Sequence, residues 1–194
     1  MSEHAHALPR RVASANGWWG MAVFVATEAT LFGTLVGTYW FLRFRADTWP
    51  PRGVPDPKVL LPVVLTLVLV STSLPMQLAF AAARTGRIVS TRLLLLVALL
   101  VQAGYLGMQL HLFVDDLDHF SPNATAYASS YFTLVGAHHA HVLVGILLNV
   151  FLFLRLWTGL TRYRLVGLQS ATFYWHFVNV LALIVTLVQI SPSL

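Results

Sequence analysis

The sequence predicts an all-α, polytopic membrane protein: one bundle of five transmembrane helices, with the N-terminus inside and the C-terminus outside. Of the 194 residues, 57% are hydrophobic and only 10% are Asp, Glu, Lys or Arg, whereas a soluble domain carries about 25% charged residues. Five stretches are apolar over the roughly 20 residues that a helix needs to cross hydrocarbon about 30 Å thick. These observations exclude an ordinary soluble globule and a disordered chain.

The composition also excludes several classes of site. The chain has no cysteine, which excludes a disulfide scaffold, thiolate metal ligands and a cysteine nucleophile. The net charge of +5 does not indicate nucleic acid binding, because the arginines are spread along the chain as they are beside membrane spans. We expect a single membrane domain over residues 1–194, with helices near 18–42, 59–83, 93–114, 129–156 and 170–190.

Two of these stretches need justification. The first follows Arg10 and Arg11 like a secretory signal, but it contains Glu28 and is longer than a signal core of about 7–15 residues. We therefore expect it to be a retained span. In the second, Pro62 lies in the first turn, where its missing N–H costs nothing. Pro75 lies inside this span and predicts a kink.

The distribution of basic residues predicts the orientation. Eight of the 12 lysines and arginines lie on one side of the predicted bundle: Arg10, Arg11, Arg84, Arg87, Arg92, Arg155, Arg162 and Arg164. The other side carries Arg43, Arg45, Arg52 and Lys58, together with an acidic connector containing Asp115, Asp116 and Asp118. Because basic residues collect on the cytoplasmic side, the N-terminus is predicted inside and the C-terminus outside.

Glu28 lies about halfway along the first predicted span. An ionisable side chain at that depth is costly and tends to face protein or water. It can serve as a hydrogen-bond partner between helices, as a proton relay or as a polar contact to a bound lipid. The predicted spans contain no other acid to receive a proton, so the structural interpretation is favoured.

The fourth span contains His138, His139 and His141. Residues three apart lie on nearly the same face of a helix, so His138 and His141 are expected to point together, with His139 about 100° away. Two imidazoles at that spacing could bind a metal. The remaining candidates are His111, near the outer end of the third span, and His176, near the inner end of the fifth.

These positions argue against a shared metal or haem site. A four-histidine site is disfavoured because His111 and His176 are expected at opposite ends of the membrane. A bis-histidine haem needs two histidines at similar depth on facing helices, and His176 has no clear partner at its depth. We therefore expect hydrogen-bonded helix packing, helped by Gly136 and Gly145, since small residues let helices approach closely.

Three blocks of the sequence resemble a known family. They are Trp19-Gly20-Met21 leading through Glu28 and Phe32 to Tyr39; Tyr131-Phe132 leading to Gly136, His138, His141, Val142 and Gly145; and Tyr174-Trp175-His176-Phe177-Val178. In order and spacing, these blocks resemble subunit III of the haem-copper terminal oxidases, in its short bacterial form with five helices instead of seven. Gln109 in the third span also fits. The resemblance covers essentially the whole chain.

The resemblance implies a non-catalytic subunit in the bacterial inner (cytoplasmic) membrane. Its implied partners are the catalytic subunit I, which holds the haems and copper, and subunit II of the same complex. This chain is expected to bind no haem or metal itself and no catalytic residue is assigned to it. Its implied work is to stabilise the catalytic subunit, to support proton uptake and to hold phospholipid. The positions matching the family's polar signature are Glu28, Gln109, His138, His141 and His176.

The chain departs from the family pattern at three places. Leu112 and Asn179 stand where the family usually has acids, and His139 stands where it usually has glycine. Replacing two buried acids with neutral residues removes possible proton carriers.

Six arginines are predicted on the inner side, where each contributes about 1 kcal/mol toward anionic head groups. They are Arg84, Arg87, Arg92, Arg155, Arg162 and Arg164. They predict binding of membrane phospholipid; the alternative is that they only set the topology.

Two other functions stay open at the level of the residues. The accessory subunit of some bacterial nitric oxide reductases shares the same five-helix plan. An independent small transporter is a different class, but it is expected to show inverted repeats or paired broken helices. The sequence contains one internal proline kink and no convincing repeat.

Overall fold

The computed structural model describes residues 12–54 and 58–193, and these ranges contain helices but no strand. The helices are α1 (Val12–Arg45), α2 (Leu60–Ser71), α3 (Ser73–Arg84), α4 (Ile88–His119), α5 (Ala126–Leu156) and α6 (Arg162–Ile190), followed by a 3₁₀ turn (Ser191–Ser193). Arg10 and Arg11, which contribute to the predicted orientation, lie outside the described residues.

The all-α fold with five membrane-length helices is confirmed. Five helical segments are long and apolar enough to cross a bilayer: Gly17–Arg45, Leu60–Arg84, Ile88–His119, Ala126–Leu156 and Arg162–Ile190. The second combines α2 and α3. The connectors define two ends of the bundle. We call the end with Arg84, Arg87, Arg155 and Arg162 the basic end, and the end with Asp115, Asp116 and Asp118 the acidic end.

The kink predicted at Pro75 is also confirmed. Proline lacks the N–H that would bond to the carbonyl four residues earlier, at Ser71, and its ring clashes with that carbonyl. The helix accordingly breaks at Thr72, between α2 and α3. The Thr72 hydroxyl then bonds to the Leu69 carbonyl and accepts a hydrogen bond from the indole N–H of Trp175 at 2.7 Å.

The last helix begins earlier than its apolar stretch. Thr161 caps α6 by accepting a hydrogen bond from the backbone N–H of Arg164 at 3.3 Å, which is the usual role of a threonine at this position. The first two turns carry charged and polar side chains, so hydrophobicity alone does not reveal them. As a result His176 is the 15th residue of the 29 in α6. It lies at the middle of the span, and the expectation that it lies near the inner end is wrong.

The helices pack around α6. α6 contacts α1, α2, α3 and α5, whereas α4 packs against α2, α3 and α5. Among the described helices, α1 contacts only α5 and α6. α6 is the most buried of the five spans and α1 the least.

Gly145 allows close packing between α5 and α6. A Cβ atom at Gly145 would lie 2.6 Å from the ring of Trp175, which is fully buried. The expected role of this glycine in close packing is therefore confirmed. At Gly136 an added Cβ would meet Phe113 at 3.6 Å, which is an ordinary contact.

Candidate functional site

Glu28 joins α1 to α5 through His141. Oε2 of Glu28 lies 2.8 Å from Nε2 of His141, and the two side chains are 21% and 16% exposed. Nδ1 of His141 lies 2.7 Å from the carbonyl oxygen of Ala137. Phe32 packs edge-on against the imidazole, with ring centroids 5.0 Å apart. The pair thus lies near the bundle surface with apolar packing on one side.

The bonds of His141 define how many protons the pair holds. A carbonyl can only accept, so Nδ1 of His141 donates to Ala137 and carries a hydrogen. The bond between Nε2 and Glu28 then contains one further hydrogen, either on a carboxylic acid facing neutral imidazole or on imidazolium facing a carboxylate. In both forms the pair has no net charge, which suits its place in a membrane span.

His138 and His141 do not form a common site, contrary to the expectation that they point together. Three residues turn a helix by about 300°, so 60° still separates the two side chains. His141 reaches α1, whereas His138 is buried against α4, where its Nε2 lies 3.5 Å from the Tyr105 hydroxyl. The amide of Gln109 donates to the same hydroxyl at 3.2 Å. Gln109 and His138 are therefore connected through Tyr105.

The α4–α5 interface contains further polar groups that the sequence analysis missed. Asn149 donates to the side-chain oxygen of Gln102 at 3.1 Å, and both residues are buried. Gln102 lies three residues before Tyr105 and seven before Gln109 on one helix face, and that spacing is the signal that would have revealed it. A buried polar group left without a partner costs about 1–3 kcal/mol. These contacts reduce that cost within the bundle.

His176 belongs to a separate cluster between α3 and α6. The amide of Asn179 donates to Ser73 Oγ at 2.6 Å, and that hydroxyl lies 3.2 Å from Nδ1 of His176. Nε2 of His176 donates to the side-chain oxygen of Gln77 at 3.3 Å. A neutral imidazole satisfies every one of these bonds. Asn179 acts as a donor here, and a carboxylate at this position would have no hydrogen to give.

The arginines at the basic end have different environments. Arg92 donates to the carbonyls of Leu156 at 2.7 Å and Trp157 at 3.3 Å, which are at the C-terminus of α5. Arg84 lies over the ring of Phe80, and Arg155 lies over that of Phe151. Arg87 precedes α4, and Arg162 begins α6.

A cavity of about 170 Å³ opens at the basic end between the first turns of α6 and the end of α5. Arg155, Arg164 and Tyr163 lie around it, and its remaining walls are mostly apolar. Arg164 also donates to the carbonyl of Gly159. The cavity combines two guanidinium groups with an apolar floor.

The histidines are not assembled around a metal position. Among the described histidines, His111 is exposed on α4, and His138, His141 and His176 each bond to groups on a different neighbouring helix. Within residues 12–54 and 58–193, no three His, Asp or Glu side chains lie close enough to hold a metal ion together.

Comparison with known proteins identifies similar chains. Residues 5–190 match the family model described as cytochrome c oxidase subunit III. The chain is 30% identical to the cytochrome bo(3) ubiquinol oxidase subunit 3 of Pseudomonas aeruginosa, over 92% of this chain and 84% of the relative. It is 30% identical to the cytochrome c oxidase subunit 3 of Bacillus sp. PS3, over 90% and 86% of the two chains.

A third relative belongs to the quinol class. It is the quinol oxidase subunit 3 of Bacillus subtilis, 30% identical over 84% of this chain and 79% of the relative. Relatives from the cytochrome c and quinol classes thus match this chain to the same degree.

Proposed function

This chain belongs to the cytochrome c oxidase subunit III family, and on that premise we propose how it works in a haem-copper terminal oxidase. It is a non-catalytic membrane subunit of the aerobic respiratory chain that stabilises the catalytic subunit. The observation that carries this role is the Glu28–His141 bond, which fixes the sparsely packed α1 to the rest of the bundle. α1 is then held in place as a surface for a partner.

The proposed location is the bacterial inner membrane, with the basic end inside. The helix ends and connectors on that side carry Arg84, Arg87, Arg155 and Arg162, whereas the last turns of α4 at the other end carry acids. The positive-inside rule favours this orientation. The C-terminus is then outside.

We propose that α1 contacts the catalytic subunit I, with subunit II in the same complex. Its outward face carries Gly33 and Gly37, and a Cβ added at either would meet no atom within 4 Å. Small residues four apart let two membrane helices approach closely. Thr30 and Thr34 are exposed on the same helix and bond to their own backbone, which leaves a smooth surface.

Support of proton uptake is proposed to be indirect. Leu112 and Asn179 are neutral where the family usually has acids, and the proton between Glu28 and His141 is held in a closed pair. The chain then helps proton uptake by keeping the inner surface of its partner in place rather than by carrying protons.

Phospholipid is proposed to bind in the cavity at the basic end. Arg155 and Arg164 supply charge for a phosphate, and the apolar walls suit an acyl chain. The other arginines at this end face the same leaflet, and Arg92 is additionally engaged at the end of α5. Haem and copper are proposed to lie in the partner subunits, with none bound by this chain.

Affinity purification from gently solubilised membranes tests this function. A tag on this chain should recover a large haem-containing subunit, and the chain separated from that subunit should show no Soret band and no stoichiometric copper or zinc after chelation. Recovery of a homo-oligomer active in flux assays would replace the proposal with transport. Recovery of a nitric oxide reductase would identify the other complex considered.

A further inference from the structure

A second cavity, of about 130 Å³, opens at the acidic end among α2, α4, α5 and α6. This volume is several times the roughly 10–15 Å³ that one water molecule requires. Lys58 and His119 lie at its mouth, and Gln109 and His139 lie around its deeper part. The cavity therefore has room for several waters, and polar side chains line both its mouth and its deeper part.

The wall of this cavity is a hydrogen-bonded set of polar side chains. The Tyr131 hydroxyl donates to Asp116 at 2.6 Å and accepts from the amide of Gln189 at 3.2 Å. At the mouth, Lys58 donates to Asp115 at 2.6 Å, and this bond raises the pKa of Lys58. Polar groups on three helices thus face one space, and a water within it has several partners.

The polar lining continues into the bundle along the α4–α5 interface. Gln109, at the cavity, donates to Tyr105, which lies against His138. One turn further toward the basic end are Gln102 and its partner Asn149. All five residues are buried.

Four buried polar atoms along this interface make no hydrogen bond to another described residue: Nδ1 of His138, Nδ1 of His139, Nε2 of Gln102 and Oδ1 of Asn149. All four of these residues are at least nine-tenths buried. Buried polar groups in proteins nearly always have a protein or water partner. Nε2 of Gln102 is a donor and Oδ1 of Asn149 an acceptor, and a short file of water can satisfy both.

The interface closes beyond Gln102 and Asn149. The next residues toward the basic end are Leu95, Leu99, Leu152 and Leu156, and all four are buried in the apolar core. Buried, close-packed apolar side chains offer water neither space nor hydrogen-bond partners. The polar path therefore ends within the membrane span.

We propose that this chain contains a hydrated half-channel open only at the acidic end. Water enters through the cavity beside Asp116 and Tyr131, follows Gln109, Tyr105 and His138, and stops at Gln102 and Asn149. The ligand is water together with any proton it carries, so the buried imidazoles exchange hydrogen with one side of the membrane. Glu28 and His176 lie outside this path.

Hydroxyl-radical footprinting of the assembled complex tests the hydration. Radicals formed by X-rays on bound water oxidise the side chains beside that water. Tyr105 and Tyr174 are a matched pair, because they are 3% and 1% exposed and each hydroxyl is hydrogen-bonded. We expect Tyr105 to be oxidised at least about fivefold faster than Tyr174, because only Tyr105 lies on the proposed file of water. Equal rates would overturn the proposal.

Cysteine labelling tests the opening and the blind end. The chain has no cysteine, so Gln109→Cys and Leu95→Cys each introduce a single thiol. A small, membrane-impermeant methanethiosulfonate should modify Gln109→Cys from the acidic side roughly tenfold faster than Leu95→Cys, since a buried thiol is inert. Modification of Leu95→Cys at a similar rate would show that the water path is not closed toward the basic end. Failure of Gln109→Cys to react in a folded protein would overturn the connection to the acidic side.

A substitution that fills the cavity gives a test of the water path that does not depend on the two cysteine variants. Val135 lines the cavity and is buried, so Val135→Phe places a ring in the proposed water path. Oxidation of Tyr105 should fall toward that of Tyr174, while oxidation of Tyr174 stays unchanged and reports an intact fold. An unchanged rate at Tyr105 would contradict the route.

Discussion

α6 and α1 are both membrane spans, yet their side chains have opposite surroundings. α6 packs against four other helices and is the most buried span, whereas α1 packs against two helices and is the least buried. The comparison separates two kinds of constraint on the sequence. Packing within this chain constrains which residues α6 can have, whereas contacts outside the bundle constrain which residues α1 can have.

The glycines show the same difference. Gly145 on α5 faces α6, where Trp175 fills the space beside it, but Gly33 and Gly37 on α1 face no atom within 4 Å. Packing within this chain is enough to explain why Gly145 must be a glycine. At Gly33 and Gly37 the need arises only if another helix packs there.

The largest effect is expected from Gly145→Leu. The added side chain would overlap the ring of Trp175, which is held by its hydrogen bond to Thr72, and overpacking of this kind costs about 1–3 kcal/mol or more. Gly107→Leu is the control, because that exposed position on α4 has open space. Reversible unfolding in mixed micelles measures both variants. Equal stability would show that α5 and α6 separate easily.

The next effect concerns the partner surface. Leucines at both Gly33 and Gly37 should leave the stability of the isolated chain unchanged but lower its recovery with the catalytic subunit about tenfold, which corresponds to about 1.4 kcal/mol of lost association. The matched control carries leucines at Gly104 and Gly107, which are exposed on α4 with open space around them. If only the α4 variant failed to recover the catalytic subunit, the interface would lie on α4 instead of α1.

A smaller effect is expected at Glu28. Glu28→Gln keeps the bond, because an amide N–H donates to the neutral Nε2 of His141. Assembly and turnover should therefore stay within about twofold of the original. Glu28→Ala should lower stability by about 1–3 kcal/mol, because it leaves the imidazole unpaired. Reduced turnover of an intact Glu28→Gln complex would show that the carboxylate handles protons.

The smallest effect is expected from single arginine substitutions at the basic end. Arg155→Gln should weaken retention of anionic phospholipid roughly fivefold, the equivalent of about 1 kcal/mol. Arg84→Gln is a matched control, since both arginines lie over a phenylalanine ring but only Arg155 lines the cavity. Lipid analysis after detergent washing measures the difference. Equal retention in both variants would leave these arginines with a role in topology only.

Hydrophobicity predicts the five spans, and Pro75 predicts the break in the second, because each depends on one segment of the chain. The positions of Glu28, Gln109 and the histidines within spans are also visible in the sequence. Their partners are not, since Ser73 and Gln77 meet His176, and Tyr105 meets His138, only when helices pack. Periodicity places His138 and His141 on similar faces, but the neighbouring helices decide which groups they meet. The charged first turns of α6 are invisible to an apolar window.

The break at Thr72 divides one crossing into two stiff rods that meet near mid-depth. α2 is tied to α6 by the bond between Thr66 and Thr186 at 2.6 Å, and α3 by the bond between Ser73 and Asn179. Because the junction itself is attached to Trp175, α6 holds both rods and the point where they meet. A span broken by proline thereby keeps one angle between its halves, set by bonds to a neighbouring helix rather than by a continuous ladder of backbone hydrogen bonds.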